Sequence, residues 1–278
     1  GIQTSASGRS FLDRGGISFA VFFLLSFFST ASTRVSFGIP PSVLLNAPSA
    51  IAMKTGILTL VGTFLPAVML SSAIIRDREF KTEEMFHSTP LSPKIFVLGR
   101  LSGGLLAVAL AFASVPLGIY LATLLPSIDA ERLGPTGISS YLSIYLSIGV
   151  LNLTLVGLML FTVANLTRSA LATYVALTIF FILYLAGNTA LDQPQYRDLA
   201  ALIDPLGLNA FEHVTRYWTP AQKNVQPIPF EGVLLTNRLI WGGLAGALLL
   251  YNVFTFSFTR RLRSGKPGAD PAPTAATQ

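Results

Sequence analysis

Cysteine is absent from the 278 residues, which removes disulfides, thiolate metal sites and thiol nucleophiles together. Charge is scarce too: Asp, Glu, Lys and Arg make up 12% of the chain, against about a quarter in a soluble globular domain. Histidine occurs twice, at His87 and His213, so the HExxH zinc motif, which needs two His one helical turn apart, is missing. The phosphate-cradling GxxxxGK[ST] loop is missing as well, so any ATP hydrolysis belongs to another polypeptide. No GxSxG nucleophile element occurs. The long apolar runs contain not one Asp or Glu. Carboxylates at that depth are how most secondary transporters couple to protons or sodium, so energy for uphill movement would have to enter elsewhere.

Apolar sequence is what the chain has in plenty. Hydrophobic residues reach 51%, Phe alone occurs 20 times, and the mean hydropathy is +0.61. A helix crossing the ~30 Å hydrocarbon core needs roughly 20 apolar residues. Six segments qualify: 15–33, 50–75, 95–125, 141–164, 171–190 and 233–258. They are apolar on every face, unlike the alternating strands of a membrane barrel. The expected fold is an all-α integral membrane protein with six transmembrane helices, the second and third kinked at Pro66 and Pro116. The first run, with Arg9 and Arg14 before it and small residues at 29–33, also has the look of a signal peptide. Its length and the five spans after it favour a retained helix. A chain opening on Gly1 reads as a fragment or a processed product.

The net charge of +6 raises the question of nucleic acid, but the basic residues flank apolar runs and form no aromatic-interleaved face. They set orientation instead. With the N-terminus inside, twelve basic residues fall on the cytoplasmic side and seven outside. Residues 1–14 are then a cytoplasmic segment, 15–258 the membrane domain, and 259–278 a basic and then disordered cytoplasmic tail. The outer connector 191–232 is long, with Phe211, Tyr217, Trp218 and Phe230, and reads as a folded cap or a segment dipping to the interface. Asp192, Asp204 and Glu212 lie in it without metal-ligand spacing, so no metal site is expected.

Within the spans, Lys54, Arg100 and Arg238 sit near ends, from which long side chains can snorkel. Small residues recur every fourth position at Gly99, Gly103, Ala107 and Ala111, and at Gly242 and Gly246. Such ridges suit close helix packing, within the chain or at a subunit seam. Asn152, Thr154 and Asn165 read as interhelical glue or as polar lining of a path.

One connector stands apart. RDREFKTEEMFHSTPLSPKIFVLGR, residues 76–100, holds nine of the 19 basic and 13 acidic residues. Good helix formers run from Arg76 to His87, predicting a helix of about three turns that Pro90 stops. Ser92–Pro93 reads as the N-cap and first position of the third span. Acidic residues contribute little to membrane orientation, so Asp77, Glu79, Glu83 and Glu84 point to a docking surface for another protein.

In this connector the chain resembles ABC-2 type permeases, the six-helix membrane domains of ATP-binding cassette transporters. The matching elements are the charged run 76–79, Thr82–Glu83, Thr89–Pro90–Leu91–Ser92 and Gly99–Arg100. NAPSAIA at 46–52, DPLG at 204–207, YWT at 217–219 and NRLIW at 237–241 are similar to permeases fused in some bacteria to zinc aminopeptidases. The resemblance implies a coupling helix that docks on a cytoplasmic ABC ATPase through Arg76, Asp77, Arg78, Glu79, Lys81, Thr82, Glu83, Glu84, Thr89 and Pro90. ATP and Mg would be bound by that partner, with no cofactor in this chain. Two six-helix halves would share one pathway, the second being a copy, another permease or a missing half. The expected role is an exporter subunit in the bacterial plasma membrane, both termini cytoplasmic, working by alternating access; the chain itself is expected not to be an enzyme. The rival readings are a secondary carrier and a non-transporting membrane scaffold that recruits a cytoplasmic partner.

Overall fold

The computed structural model describes residues 2–32, 39–70, 92–135, 137–190 and 193–256, and every regular element among them is helical. In chain order they are α1 (Ile2–Ala31), α2 (Pro48–Gly62), α3 (Phe64–Leu70), α4 (Pro93–Phe112) and α5 (Ser114–Ala122). After them come α6 (Ile138–Ile144), α7 (Leu151–Thr167), α8 (Ala170–Ala190), α9 (Arg197–Ile203), α10 (Leu208–Thr215), α11 (Pro220–Val225) and α12 (Gly232–Thr255). Four helical stretches are long and apolar enough to cross a bilayer: Pro93–Ala122, Ile138–Thr167, Ala170–Thr189 and Gly232–Thr255. A fifth forms if α2 and α3, bent by 42° at their junction, count as one span. The apolar part of α1, Gly16–Ala31, is shorter. By length and composition this is a candidate multi-pass membrane protein.

The two interruptions have a common cause. α2 stops at Gly62 and α4 at Phe112, and each of these residues lies four positions before a proline, Pro66 or Pro116. Proline offers no N–H to the carbonyl four residues back, and its ring crowds that carbonyl. The helix therefore breaks one turn upstream, at Thr63 and Ala113. Ile138–Thr167 stays continuous, but Tyr145–Val150 is wound as a π-helix. Ser92 caps α4 as expected, its Oγ accepting from the Ile95 N–H at 3.3 Å ahead of Pro93.

The core gathers where the broken helices meet α7. Phe112, fully buried, lies against Gly62 and Gly149, where any side chain would crowd its ring, and meets Phe22 edge-on at 5.5 Å. Ile51, Leu58, Leu70, Leu101, Leu153 and Phe161 complete this cluster. α8 lies at the edge, with little of its apolar stretch buried.

Candidate functional site

The ten connector residues expected to meet a partner, Arg76, Asp77, Arg78, Glu79, Lys81, Thr82, Glu83, Glu84, Thr89 and Pro90, lie outside the described residues, as does His87. Their described flank can be located. Phe96 of α4 stacks on Phe256 at 5.7 Å, and the Lys94 ammonium lies 4.8 Å over the Phe254 ring. The start of α4 is therefore beside the C-terminal end of α12.

The opposite end of α12 carries a cap. Three connectors meet there and tie to one another. Asn46 exchanges two hydrogen bonds with Gly134, at 2.7 and 2.8 Å. Asn224 accepts from the Leu44 N–H, and the Ser49 hydroxyl donates to the Lys223 carbonyl, both at 2.8 Å. Residues 193–231 thus fold as a helical cap on the bundle; Phe211 and Leu206 are buried, while Tyr217 is exposed. Thr219 starts α11 through a reciprocal capping box with Gln222.

Beneath this cap lies a buried polar node. α9 ends in carbonyls that its own helix leaves unpaired. Asn237 Nδ2 donates to the Ala201, Leu202 and Asp204 carbonyls at 2.7, 3.1 and 2.8 Å, and Trp241 Nε1 donates to Leu202 at 3.2 Å. Asn237 and Trp241 can share this task because a spacing of four places them on one helix face. Arg238 then joins two spans: its Nη1 donates to Asn152 of α7 at 2.7 Å, and its Nε and Nη2 to Asn237 Oδ1. Asn152 in turn donates to the Leu206 carbonyl at 2.8 Å.

Each residue of the DPLG element now has a physical task. Asp204 accepts from the Leu206 and Asn209 N–H groups at 2.8 and 2.7 Å, turning the chain from α9 into α10. Pro205 cannot continue α9. Leu206 is buried as an anchor. Gly207 holds φ +71°, and the Arg238 guanidinium occupies the space that a Cβ would need.

Burial pushes the Asp204 carboxyl above the usual carboxylate range; the N–H groups of Asn209, Leu206 and Gly207 and the Arg238 charge pull it back only in part. A group whose pKa is raised by folding stabilises the fold fully below its unfolded value, about 3.9, and loses that contribution as pH rises through the folded value. The wild type should therefore gain stability relative to D204N as pH falls from neutrality through that window. Thermal unfolding of both proteins in detergent across pH 4–8 checks the sign; a wild type that loses stability relative to D204N on acidification would contradict it.

α7 and α12 are also tied far from the cap, where Asn165 donates to Asn252 at 3.2 Å and Asn252 to Thr162 at 2.8 Å. The paired positions advance together, so the two helices run parallel. Asn152 and Asn165 are thus interhelical ties.

Two residues expected to snorkel do something else. Lys54 is 1% exposed and donates to Thr30 Oγ1 at 3.0 Å and the Leu45 carbonyl at 3.1 Å, joining α1 to α2. Arg238 is 7% exposed within the node. Folded connectors cover both, so neither needs to reach for solvent. The small-residue ridges divide. Ala107 and Ala111 pack into the core, whereas a side chain at Gly99, Gly103, Gly242 or Gly246 would meet no atom within 4 Å among the described residues. Close internal approaches fall at other glycines, among them Gly56 against Leu208, Gly104 against Leu70, Gly118 against Ser26 and Gly157 against Leu105 and Pro66.

Two cavities flank α10. One, about 380 Å³, is walled by Asn188 and Thr189 at the end of α8, by Arg197 of α9, and by Asn209, Glu212, His213 and Arg216. The other, about 390 Å³, lies between α10 and α2 and shares Glu212 and Arg216, with Lys223 on its rim. His213 Nδ1 stands 3.6 Å from Asp198. Among the described residues no group of three or more His, Asp or Glu could hold a metal. The architecture defines an all-α protein with four to five candidate membrane spans and a helical cap at one end. No family model matches the chain, and no curated protein or solved structure is significantly similar to it.

Proposed function

We propose that this chain is the permease subunit of an ABC-2 type transporter in a bacterial plasma membrane, exporting its substrate by alternating access. A separate cytoplasmic ATPase binds ATP and Mg and supplies the force, and a second permease half completes the pathway. One observation carries this reading: the densest charge in the chain, acidic residues included, sits in the connector between the two proline-broken helical stretches. A docked ATPase that shifts this connector tilts both stretches, and the breaks at Thr63 and Ala113 are where such a tilt is absorbed. The excess of basic residues on the connector's side of the membrane agrees with a cytoplasmic location.

Co-expression with an ABC ATPase, pull-down, and substrate flux in vesicles test the proposal. Reversing both charges in E83K/E84K should weaken ATPase capture by at least about tenfold and abolish ATP-dependent flux. Flux that follows a proton gradient without any ATPase would replace this reading by a secondary carrier. Capture without any flux would leave a scaffold.

A further inference from the structure

The cavity at the end of α8 is built differently from the node beside it. In the node every polar group is satisfied internally. In the cavity the guanidinium groups of Arg197 and Arg216 make no hydrogen bond among the described residues, and the Glu212 carboxylate makes none either. The amides are arranged as a relay: Asn209 Nδ2 donates to Asn188 Oδ1 at 2.6 Å, and Asn188 Nδ2 to the Tyr184 carbonyl at 2.8 Å. That relay leaves Asn209 Oδ1 as an open acceptor. The lining therefore offers two planar cationic forks together with an acceptor pair. Its volume, about 380 Å³, lies within the range of small-ligand sites.

Position narrows the ligand. Ala170–Thr189 is a 20-residue apolar stretch, and its outward residues Leu171, Val175, Ile179, Ile182 and Leu183 are exposed. Asn188 and Thr189 close this stretch and wall the cavity. With α8 as a membrane span, the cavity sits where the hydrocarbon core gives way to the polar interface, at the depth of lipid phosphates. Arg presents donors in a fork that matches two phosphate oxygens at once.

We propose that this cavity binds a phosphate-bearing group, with its oxygens on Arg197 and Arg216 and a hydroxyl or ammonium substituent on Glu212 and Asn209. The source is a phospholipid head group of the leaflet beneath the cap, or soluble phosphate in the same place. The proposal needs α8 to span the membrane but does not depend on the permease reading.

The purified full chain distinguishes the sources. In one arm it is reconstituted into phosphatidylethanolamine vesicles, re-extracted in mild detergent, and its retained lipid counted by native mass spectrometry. In the other, delipidated protein is titrated calorimetrically with inorganic phosphate. R197Q/R216Q should lower lipid retention about tenfold, the loss expected when charge-assisted hydrogen bonds are removed. K223Q, altered only in the neighbouring cavity, should leave retention unchanged. Arginine-dependent phosphate binding without lipid retention would assign the site to soluble phosphate and keep its chemistry. If neither ligand depends on Arg197 and Arg216, or if K223Q acts as strongly as the double variant, the proposal is overturned. Should the double variant fail to fold, R216Q alone serves, since Arg216 is exposed and makes no hydrogen bond among the described residues.

Discussion

Asn237→Ala should destabilise the protein by about 5 kcal/mol, more than Arg238→Met, although arginine is the larger and charged side chain. The alanine variant removes the donor to Ala201, leaving that buried carbonyl unpaired, and leaves the Asp204 carbonyl with the Gly207 N–H alone. It also takes away the oxygen that holds Arg238 Nε and Nη2. Each stranded neutral group costs about 1–3 kcal/mol and a stranded charge more. Arg238→Met keeps most of the volume and takes the charge away with its donors. It strands only the Asn152 and Asn237 oxygens, so about 2–3 kcal/mol is expected. The double variant should therefore lose less than the sum of the singles, because there is no longer a cation to strand. Reversible unfolding in mixed micelles measures all three. A loss in Asn237→Ala no greater than in Arg238→Met would show that the node is not organised around the α9 carbonyls.

Gly207→Ala is the second large effect, expected at about 3–4 kcal/mol. Part is backbone: an L-residue held at φ +71° is disfavoured by about 1–2 kcal/mol. The rest comes from the new methyl, which collides with the Arg238 guanidinium and forces it off Asn152 and Asn237. The two parts separate in an Arg238→Met background, where the penalty should fall to about the backbone share. An unchanged penalty there would mean that the glycine answers to the turn alone. In Gly207→Ala with Arg238 retained, the collision should loosen the cap before the spans, seen as faster hydrogen exchange in α9 and α10 with α7 still protected.

Both effects concern residues that the sequence singles out without explaining. DPLG and NRLIW are visible as short polar elements beside apolar runs, and the span ends were legible from hydropathy to within a few residues, as at Pro93 and Gly232. That NRLIW closes the carbonyl end of α9 was not legible, because α9 is only seven residues long and lies in a connector without strong periodicity. Lys54 and Arg238 depart from the snorkelling expectation for a related reason. A cation near a span end reaches water only where no folded connector covers it, and single-sequence hydropathy does not show the cover. Pro66 and Pro116 were legible as kinks because the cause is local: a missing N–H acts within one turn wherever the helix lies.

Composition and the long acid-free apolar runs by themselves determined an all-α chain with candidate membrane spans, since lipid offers backbone groups no partner and each apolar run must pair its own. Proline position determined where those runs break. Tertiary structure alone decided that three connectors join into one cap, that α7 and α12 are tied at both levels, and that two arginines 19 residues apart line one cavity. Those outcomes rest on contacts between residues distant in the chain, and such contacts leave no periodic trace in the order of amino acids.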